Sequence, residues 1–275
     1  MIRDIMVNLS IQEGSEPTLD YAVSAASSLE AHITGIAFAY SPTTPVSGLG
    51  YIRAQIIDEQ SNNEAMAKAV IDRFSAASER AGVSAEQRML NANIDKAGDQ
   101  FARIARLFDL AIVSQADPDG SAVEGMISES TLFGSGRPII IVPYIQKAPF
   151  ELDRVMVCWD GSRPAARAVA GAMPFLERAK QVEVVIVTNE PRKDNEVEGA
   201  DVGQHLARHG VNVEVRRIPR GNIDVADALL SHAADSGVDF MVMGGYGHSR
   251  MHEFVLGGVS RSIFHSVTVP TLMSH

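Results

Sequence analysis

Short apolar runs alternate with amphipathic segments along the chain. In the second half the runs are RVMVCWD, VEVVIVT, VNVEVRRI, VDFMVM and VTVPTLM, most of them rich in valine. Runs of this kind are typical of strands that are buried on both faces of a sheet. The segments between them, such as AARAVAGAMPFL, are rich in small and apolar residues and end at charged residues or glycine. The alternation predicts an α/β protein with parallel sheets and right-handed crossovers.

Two helices of the second half have recognisable boundary signals. Ser162 followed by Pro164 predicts a helix whose amino end is capped by the serine hydroxyl, with proline in the first turn. A later helix is predicted to end at Gly237, because glycine accepts the left-handed backbone conformation found after helices. The spacing predicts that one face of this later helix is formed by Ile223, Ala226, Leu229 and Leu230.

The chain contains an internal repeat. The segment RDIMVNLS near the start corresponds to DRVMVCWD about 150 residues later, and FDLAIVSQ corresponds to VDFMVMGG. The residues that align between the two copies are Asp109 with Asp239, Ser130 with Ser262, and Pro138 with Pro270. Pro149 and polar neighbours interrupt the pattern between the copies. We therefore expect two domains, residues 1–146 and 150–275, each built as an open parallel five-stranded sheet flanked by helices.

Both copies end in an apolar segment, RPIIIVPYI in the first and VTVPTLM in the second. An isolated domain would expose such a segment as an edge strand, and edges of this kind invite pairing. We expect the two halves to pack together there as an intramolecular pseudo-dimer, and a homodimer is a further possibility.

Composition narrows the classes of partner. The net charge of −10 argues against nucleic acid or an anionic membrane as the main partner, since both require a basic face. The single cysteine, Cys158, excludes an internal disulfide and lies in an apolar run, so we interpret it as a packing residue. No signal peptide and no membrane-length apolar run are evident. A cytoplasmic protein is expected.

A glycine-rich stretch follows the fourth strand of the second copy. GGYGHSRMHEFVLGG, residues 244–258, has five glycines in fifteen positions and precedes VSRSIFHS, which is predicted to be a helix. Glycine allows the backbone to approach a ligand closely, and the amides at a helix start attract anions. Open α/β sheets bind ligands at this edge. The pattern favours a phosphate site, although glycines in such loops can also serve only to make turns.

The glycine spacing resembles that of a known family. Gly244, Gly247 and Gly257 reproduce the G-x2-G-x9-G pattern of the universal stress protein (UspA) family, and DGS at residues 160–162 and the repeat strengthen the resemblance over the whole chain. The resemblance implies ATP, with Mg²⁺ as a further possibility, in the second domain. The residues that it implicates are Asp160, Gly161, Ser162, Val187, Gly244, Gly247, His248, Gly257, Gly258, Val259 and Ser260. In ATP-binding members of that family, the aspartate after strand one contacts the nucleoside, a backbone group at the end of strand two meets adenine, and the glycine loop wraps ribose and phosphates.

The sequence departs from the family pattern in two places. Gly258 stands where the family usually has serine or threonine, so a hydroxyl for the terminal phosphate is missing, and Ser260 is the nearest replacement. In the first copy the first two glycines are replaced by Ser114 and Asp117, and Ser10 stands in place of Asp160. Asp117, Asp119 and Glu124 would repel a triphosphate. The first copy is therefore expected to be a structural partner that does not bind nucleotide.

The resemblance implies a regulatory nucleotide-binding protein of the stress response with at most weak ATPase activity. One alternative is an adenine-nucleotide-dependent enzyme, and another is an interaction protein that has lost nucleotide binding. No Gly-Lys pair and no G-x-S-x-G motif occurs, which argues against a Walker loop and an α/β hydrolase. His205 and His209 have the spacing of metal ligands on a helix, but we interpret them as a solvated helix end.

Overall fold

The computed structural model describes residues 1–12, 16–41, 51–116, 122–188, 199–245, 264 and 266–275. Strands and helices alternate, as the apolar pattern predicts. In chain order they are β1 (Asp4–Leu9), α1 (Glu16–Leu29), β2 (His32–Tyr40), α2 (Tyr51–Ala81), β3 (Ala85–Ala92), α3 (Ile94–Ala105), β4 (Leu110–Ser114), α4 (Val123–Gly134), β5 (Ile139–Val142), β6 (Arg154–Cys158), α5 (Arg163–Leu176), β7 (Gln181–Thr188), α6 (Ala200–Arg208), β8 (Val213–Pro219), α7 (Val225–Asp235), β9 (Phe240–Gly244) and β10 (Thr271–Ser274).

All ten strands belong to one sheet, in the order β3-β2-β1-β4-β5-β10-β9-β6-β7-β8. Each half supplies five parallel strands in the same relative order. The halves meet where β5 pairs with β10, antiparallel, with Ile140 opposite Leu272. The two five-stranded sheets expected from the sequence are therefore not separate, because the two apolar terminal strands use each other's free backbone groups and join the halves into a single sheet.

The repeat is visible in equivalent hydrogen bonds. In the first half, Asp109 Oδ2 accepts from the amides of Arg3 (2.8 Å) and Asp4 (3.1 Å). In the second half, Asp239 Oδ2 accepts from the amides of Asp153 and Arg154, both at 2.9 Å. Each aspartate ties the turn before the fourth strand to the start of the first strand. The sequence alignment of these two aspartates is thus reproduced by their structural roles.

The segment between the halves is anchored by Phe150. Its backbone amide donates to Ser24 Oγ at 3.0 Å, and its ring packs edge to face against Tyr21 of α1 and against Phe175 and Phe240 of the second half. Because aromatic pairs of this geometry add to the free energy of burial, Phe150 joins the two halves into one hydrophobic core.

The helix boundaries predicted for the second half are confirmed with one exception. Ser162 caps α5, and Gly237 takes a positive φ of 61° just after α7. Ile223, however, precedes α7 and is 47% exposed, so it does not belong to the buried face. The helix begins only at Val225, after the turn at Gly221, whose φ is also positive (63°).

Candidate functional site

The carboxyl ends of β7, β6 and β9 lie side by side in the second half. Cys158 at the end of β6 is opposite Val185 of β7 and Met243 of β9. Val187 and Gly244 therefore lie at the same edge of the sheet as Asp160, which follows β6 by two residues. The chain leaves β6 for β7 on one side and returns as β9 on the other, so this edge is a topological switch point. Ligands of open α/β sheets bind at such positions.

The loop after β6 is ordered by its own side chains. Asp160 Oδ1 accepts from the Ser162 amide at 2.9 Å, and Gly161 takes a positive φ of 73°. Ser162 Oγ accepts from the Ala165 amide at 3.2 Å and so caps α5. Asp160 Oδ2 has no hydrogen-bond partner in the described part of the chain and the residue is exposed. One carboxylate oxygen thus holds the loop while the other remains available to a ligand.

Gly244 is required by close packing at the end of β9. A Cβ atom at this position would lie 2.5 Å from the backbone nitrogen of Ala165 and 2.6 Å from the carbonyl carbon of Pro164. Real Cβ atoms do not approach backbone atoms so closely. The strand end therefore lies directly against the first turn of α5, and the chain passes close to the loop that carries Asp160.

Cys158 is the last residue of β6, and Trp159 lies between it and Asp160. Burial, and to a lesser extent the nearby Asp160 carboxylate, raises the pKa of Cys158 to about 12. The thiol is buried and protonated at neutral pH, which agrees with its interpretation as a packing residue. Trp159, the single tryptophan of the chain, is partly buried beside Asp160. It could not be recognised as part of the site from sequence, but its position makes it a natural fluorescent reporter.

The equivalent edge of the first half is filled by its own polar side chains. Ser10 Oγ donates to Glu124 Oε1 at 2.5 Å, and both residues are buried. Ser114 Oγ donates to Thr18 Oγ1 at 2.9 Å, while Ser128 Oγ donates to the Ser114 carbonyl at 2.9 Å. We call Ser10, Thr18, Ser114, Glu124 and Ser128 the buried polar network. It occupies the switch point between β1 and β4.

Tyr40 closes the same edge at the end of β2. Burial raises the pKa of its phenol, and the nearby Glu124 carboxylate raises it further. At this edge the first half thus has buried polar side chains, whereas the second half has the exposed Asp160 loop and Gly244.

The remaining predicted site residues lie outside the described part of the chain. They are Gly247, His248, Gly257, Gly258, Val259 and Ser260. His205 and His209 are described, and their rings pack edge to face with centroids 4.8 Å apart. Among the described residues, no cluster of three histidine, cysteine or acidic side chains could hold a metal ion.

Two further observations concern the surface. An open groove between α1 and α2 is lined by residues such as Asp20, Ser24 and Arg80, and none of the predicted site residues lines it. Within the described residues, no helix combines the length and the apolar composition needed to cross a membrane.

The mostly parallel sheet with helices on its faces defines a doubly wound α/β protein. Residues 151–275 match the model of the universal stress protein family. This part of the chain therefore belongs to the universal stress protein family.

Solved structures of other proteins have the same fold over nearly the whole length of this chain. A universal stress protein from Archaeoglobus fulgidus superposes with a TM-score of 0.71 at 19% identity, covering 98% of this chain and 97% of that one. A protein of unknown function from Pseudomonas aeruginosa superposes with a TM-score of 0.61 at 13% identity, covering 99% and 92%. No curated protein is significantly similar in sequence.

Proposed function

We propose that this protein is a regulatory nucleotide-binding protein of the universal stress type, with ATP bound once per chain in the second half. The observation that carries the proposal is the meeting of Asp160, Val187 and Gly244 at the switch point of the half that matches the family. Nucleotide binding would change conformation or partner binding, with at most weak ATP hydrolysis.

The proposed contacts with the nucleotide come from residues at the carboxyl ends of β6, β7 and β9. The free oxygen of Asp160 would bind the nucleoside, and the backbone around Val187 would meet adenine. Gly247, His248 and Gly257, with the helix start from Gly258 to Ser260, would surround ribose and phosphates. The glycine at position 244 keeps the end of β9 against the first turn of α5, next to the loop that carries Asp160.

Single occupancy is supported by the buried polar network of the first half. A nucleotide there would have to displace the Ser10–Glu124 hydrogen bond and approach a buried carboxylate. Two negative groups in one partly desolvated site repel strongly. The first half would instead act as the structural partner in an intramolecular pseudo-dimer.

We also propose domain limits of 1–146 and 150–275 and a cytoplasmic location. The support for the location is the buried, unpaired thiol of Cys158, which suits a reducing compartment. A homodimer would need a surface other than β5 and β10, which already pair with each other.

Isothermal titration with ATP and magnesium tests the assignment. The stoichiometry should be near one, and Gly247→Val should abolish binding, because a β-branched side chain would stand where the backbone must approach phosphate. The matched control is Asp117→Val, which introduces the same β-branched residue at the aligned position of the first half. It should leave binding unchanged. A stoichiometry of two, or binding that survives Gly247→Val, would contradict the proposal.

An interaction protein that has lost nucleotide is the second candidate, and Gly258 is the observation that favours it. If only the terminal-phosphate hydroxyl is missing, Gly258→Ser should tighten ATP by about 1–2 kcal/mol, the worth of one charge-assisted hydrogen bond, and leave AMP unchanged. If Ser260 already supplies the hydroxyl, Ser260→Ala should weaken ATP selectively. Calorimetry that finds neither ATP nor AMP bound to the wild type would favour the second candidate.

A further inference from the structure

We propose that α4 of the first half positions the base of the second half's glycine-rich stretch, through Leu132 and Phe133. The inference rests on the proposed function, because it concerns the same site. It adds residues from the other half of the chain that the family motif does not contain.

The first contact is between Leu132 and Gly245. A Cβ atom at residue 245 would lie 2.9 Å from Leu132 Cδ2, and Leu132 is only 1% exposed. The backbone of Gly245 therefore lies directly against a buried side chain of the first half. Gly245 is also the residue that follows β9, where the chain leaves the sheet.

The second contact passes through His275. Its Nδ1 donates to the Gly245 carbonyl at 3.0 Å, and its ring packs edge to face against Phe133, with centroids 4.9 Å apart and planes at 72°. Arg167 of α5 donates to the His275 carbonyl at 2.8 Å. The Gly245 amide in turn donates to the Ser274 carbonyl at 2.7 Å.

These contacts hold both backbone polar groups of Gly245. On one side Gly244 is fixed by the first turn of α5, and on the other Gly245 is fixed by Leu132 and the Phe133–His275 pair. The direction in which the chain leaves β9 is consequently set by both halves. A backbone group that is held in place in advance loses less entropy when a ligand binds beside it. This gives the first half a role in binding even though its own switch point is filled.

Phe133→Ala in the full chain tests the proposal, with Trp159 fluorescence during ATP titration as the readout. We expect ATP affinity to fall about tenfold, as for the loss of one well-formed contact that holds the loop. Ile127→Val is the matched control, because it trims another buried side chain of the same helix without removing the contact to His275. It should lower the melting temperature and leave the affinity unchanged.

His275 variants sharpen the test. Asparagine carries a donor nitrogen at the position of the histidine Nδ1, so His275→Asn should retain more affinity than His275→Ala. Equal affinities in the wild type, Phe133→Ala and Ile127→Val would overturn the positioning role.

Should the wild type bind no ATP, the proposed function fails, and amide hydrogen exchange then decides the positioning role by itself. Faster exchange of the Gly245 amide in Phe133→Ala than in Ile127→Val supports the inference. Identical exchange in the two variants overturns it.

Discussion

The two halves share one topology, but the switch point is filled by buried side chains in the first half and has an exposed loop in the second. Between β1 and β4, buried hydroxyls and the Glu124 carboxylate bond to one another and fill the edge. Between β6 and β9, the same edge has an exposed Asp160, an ordered loop and a glycine at the strand end. Because the backbone plan is the same, the difference comes from a few side chains at equivalent positions.

One pair of equivalent contacts makes the difference concrete. Thr18 and Ala165 both follow a proline in the first turn of the helix after the first strand, and each faces the end of the fourth strand. In the first half this contact is the hydrogen bond between Ser114 and Thr18. In the second half Gly244 lies so close to Ala165 that no side chain fits. The first contact stabilises a closed edge, and the second brings the chain close to the Asp160 loop.

The largest effect is expected when the residues that follow the first strands are exchanged. Ser10→Asp would place a second carboxylate against the buried Glu124, and an uncompensated buried charge costs about 3–5 kcal/mol. The reciprocal Asp160→Ser alters an exposed residue with one local hydrogen bond and should cost about 1 kcal/mol or less. Urea unfolding at neutral pH measures both free energies of unfolding. Equal losses in the two variants would mean that the two edges do not differ in burial as described.

Much of this comparison could be predicted from the sequence. The cap at Ser162, the equivalence of Asp109 and Asp239, and the shared edge of Asp160 and Gly244 follow from local signals and from strand order. The bond between Ser10 and Glu124 could not be predicted, because it joins residues 114 positions apart. From the sequence, Glu124 is predicted only to be a charge that would repel phosphate.

Other features escaped prediction for physical reasons. Residue 244 must be glycine because β9 lies so close to α5 that a Cβ atom does not fit. This distance depends on how the helix packs and cannot be predicted from the spacing of glycines in the sequence. Ile223 has the helical spacing of a buried residue, but the turn at Gly221 delays the helix start and leaves Ile223 exposed. The contacts of Phe133 and His275 need the two halves to be docked before they exist.

An intermediate effect is expected from adding a single methyl group at the end of β9. Gly244→Ala forces a Cβ atom into the backbone of Ala165 and Pro164, and overpacking of this kind costs about 1–3 kcal/mol. Ser114→Ala at the equivalent position removes only the hydroxyl bonded to Thr18, worth about 1 kcal/mol. The midpoints of urea unfolding rank the two variants. If Gly244→Ala proved as stable as the wild type, close approach would not be the reason for glycine at this position.

The smallest effect concerns pH and the aspartate before β9. Burial raises the pKa of Asp239 above its ordinary value, and the nearby Asp153 and Glu151 carboxylates raise it further. The hydrogen bonds that Asp239 accepts from two backbone amides lower its pKa, but they offset only part of the rise. The folded state therefore binds the proton more tightly than the unfolded state does. The stability that this proton contributes is present below the ordinary aspartate pKa and is lost as pH rises through the raised one.

Asp239→Asn isolates this dependence, because the asparagine carbonyl can still accept from the amides of Asp153 and Arg154 but does not titrate. We expect the free energy of unfolding of the wild type, relative to the variant, to fall as pH rises from the ordinary aspartate pKa of 3.8 and then to level off above the raised pKa. The effect should be modest, since Asp239 is only partly buried and solvent screens its charge. Urea unfolding of both proteins across this pH interval gives the difference curve. A difference that rises with pH would mean that the hydrogen bonds from the strand start outweigh burial, so that Asp239 stabilises the fold as a carboxylate.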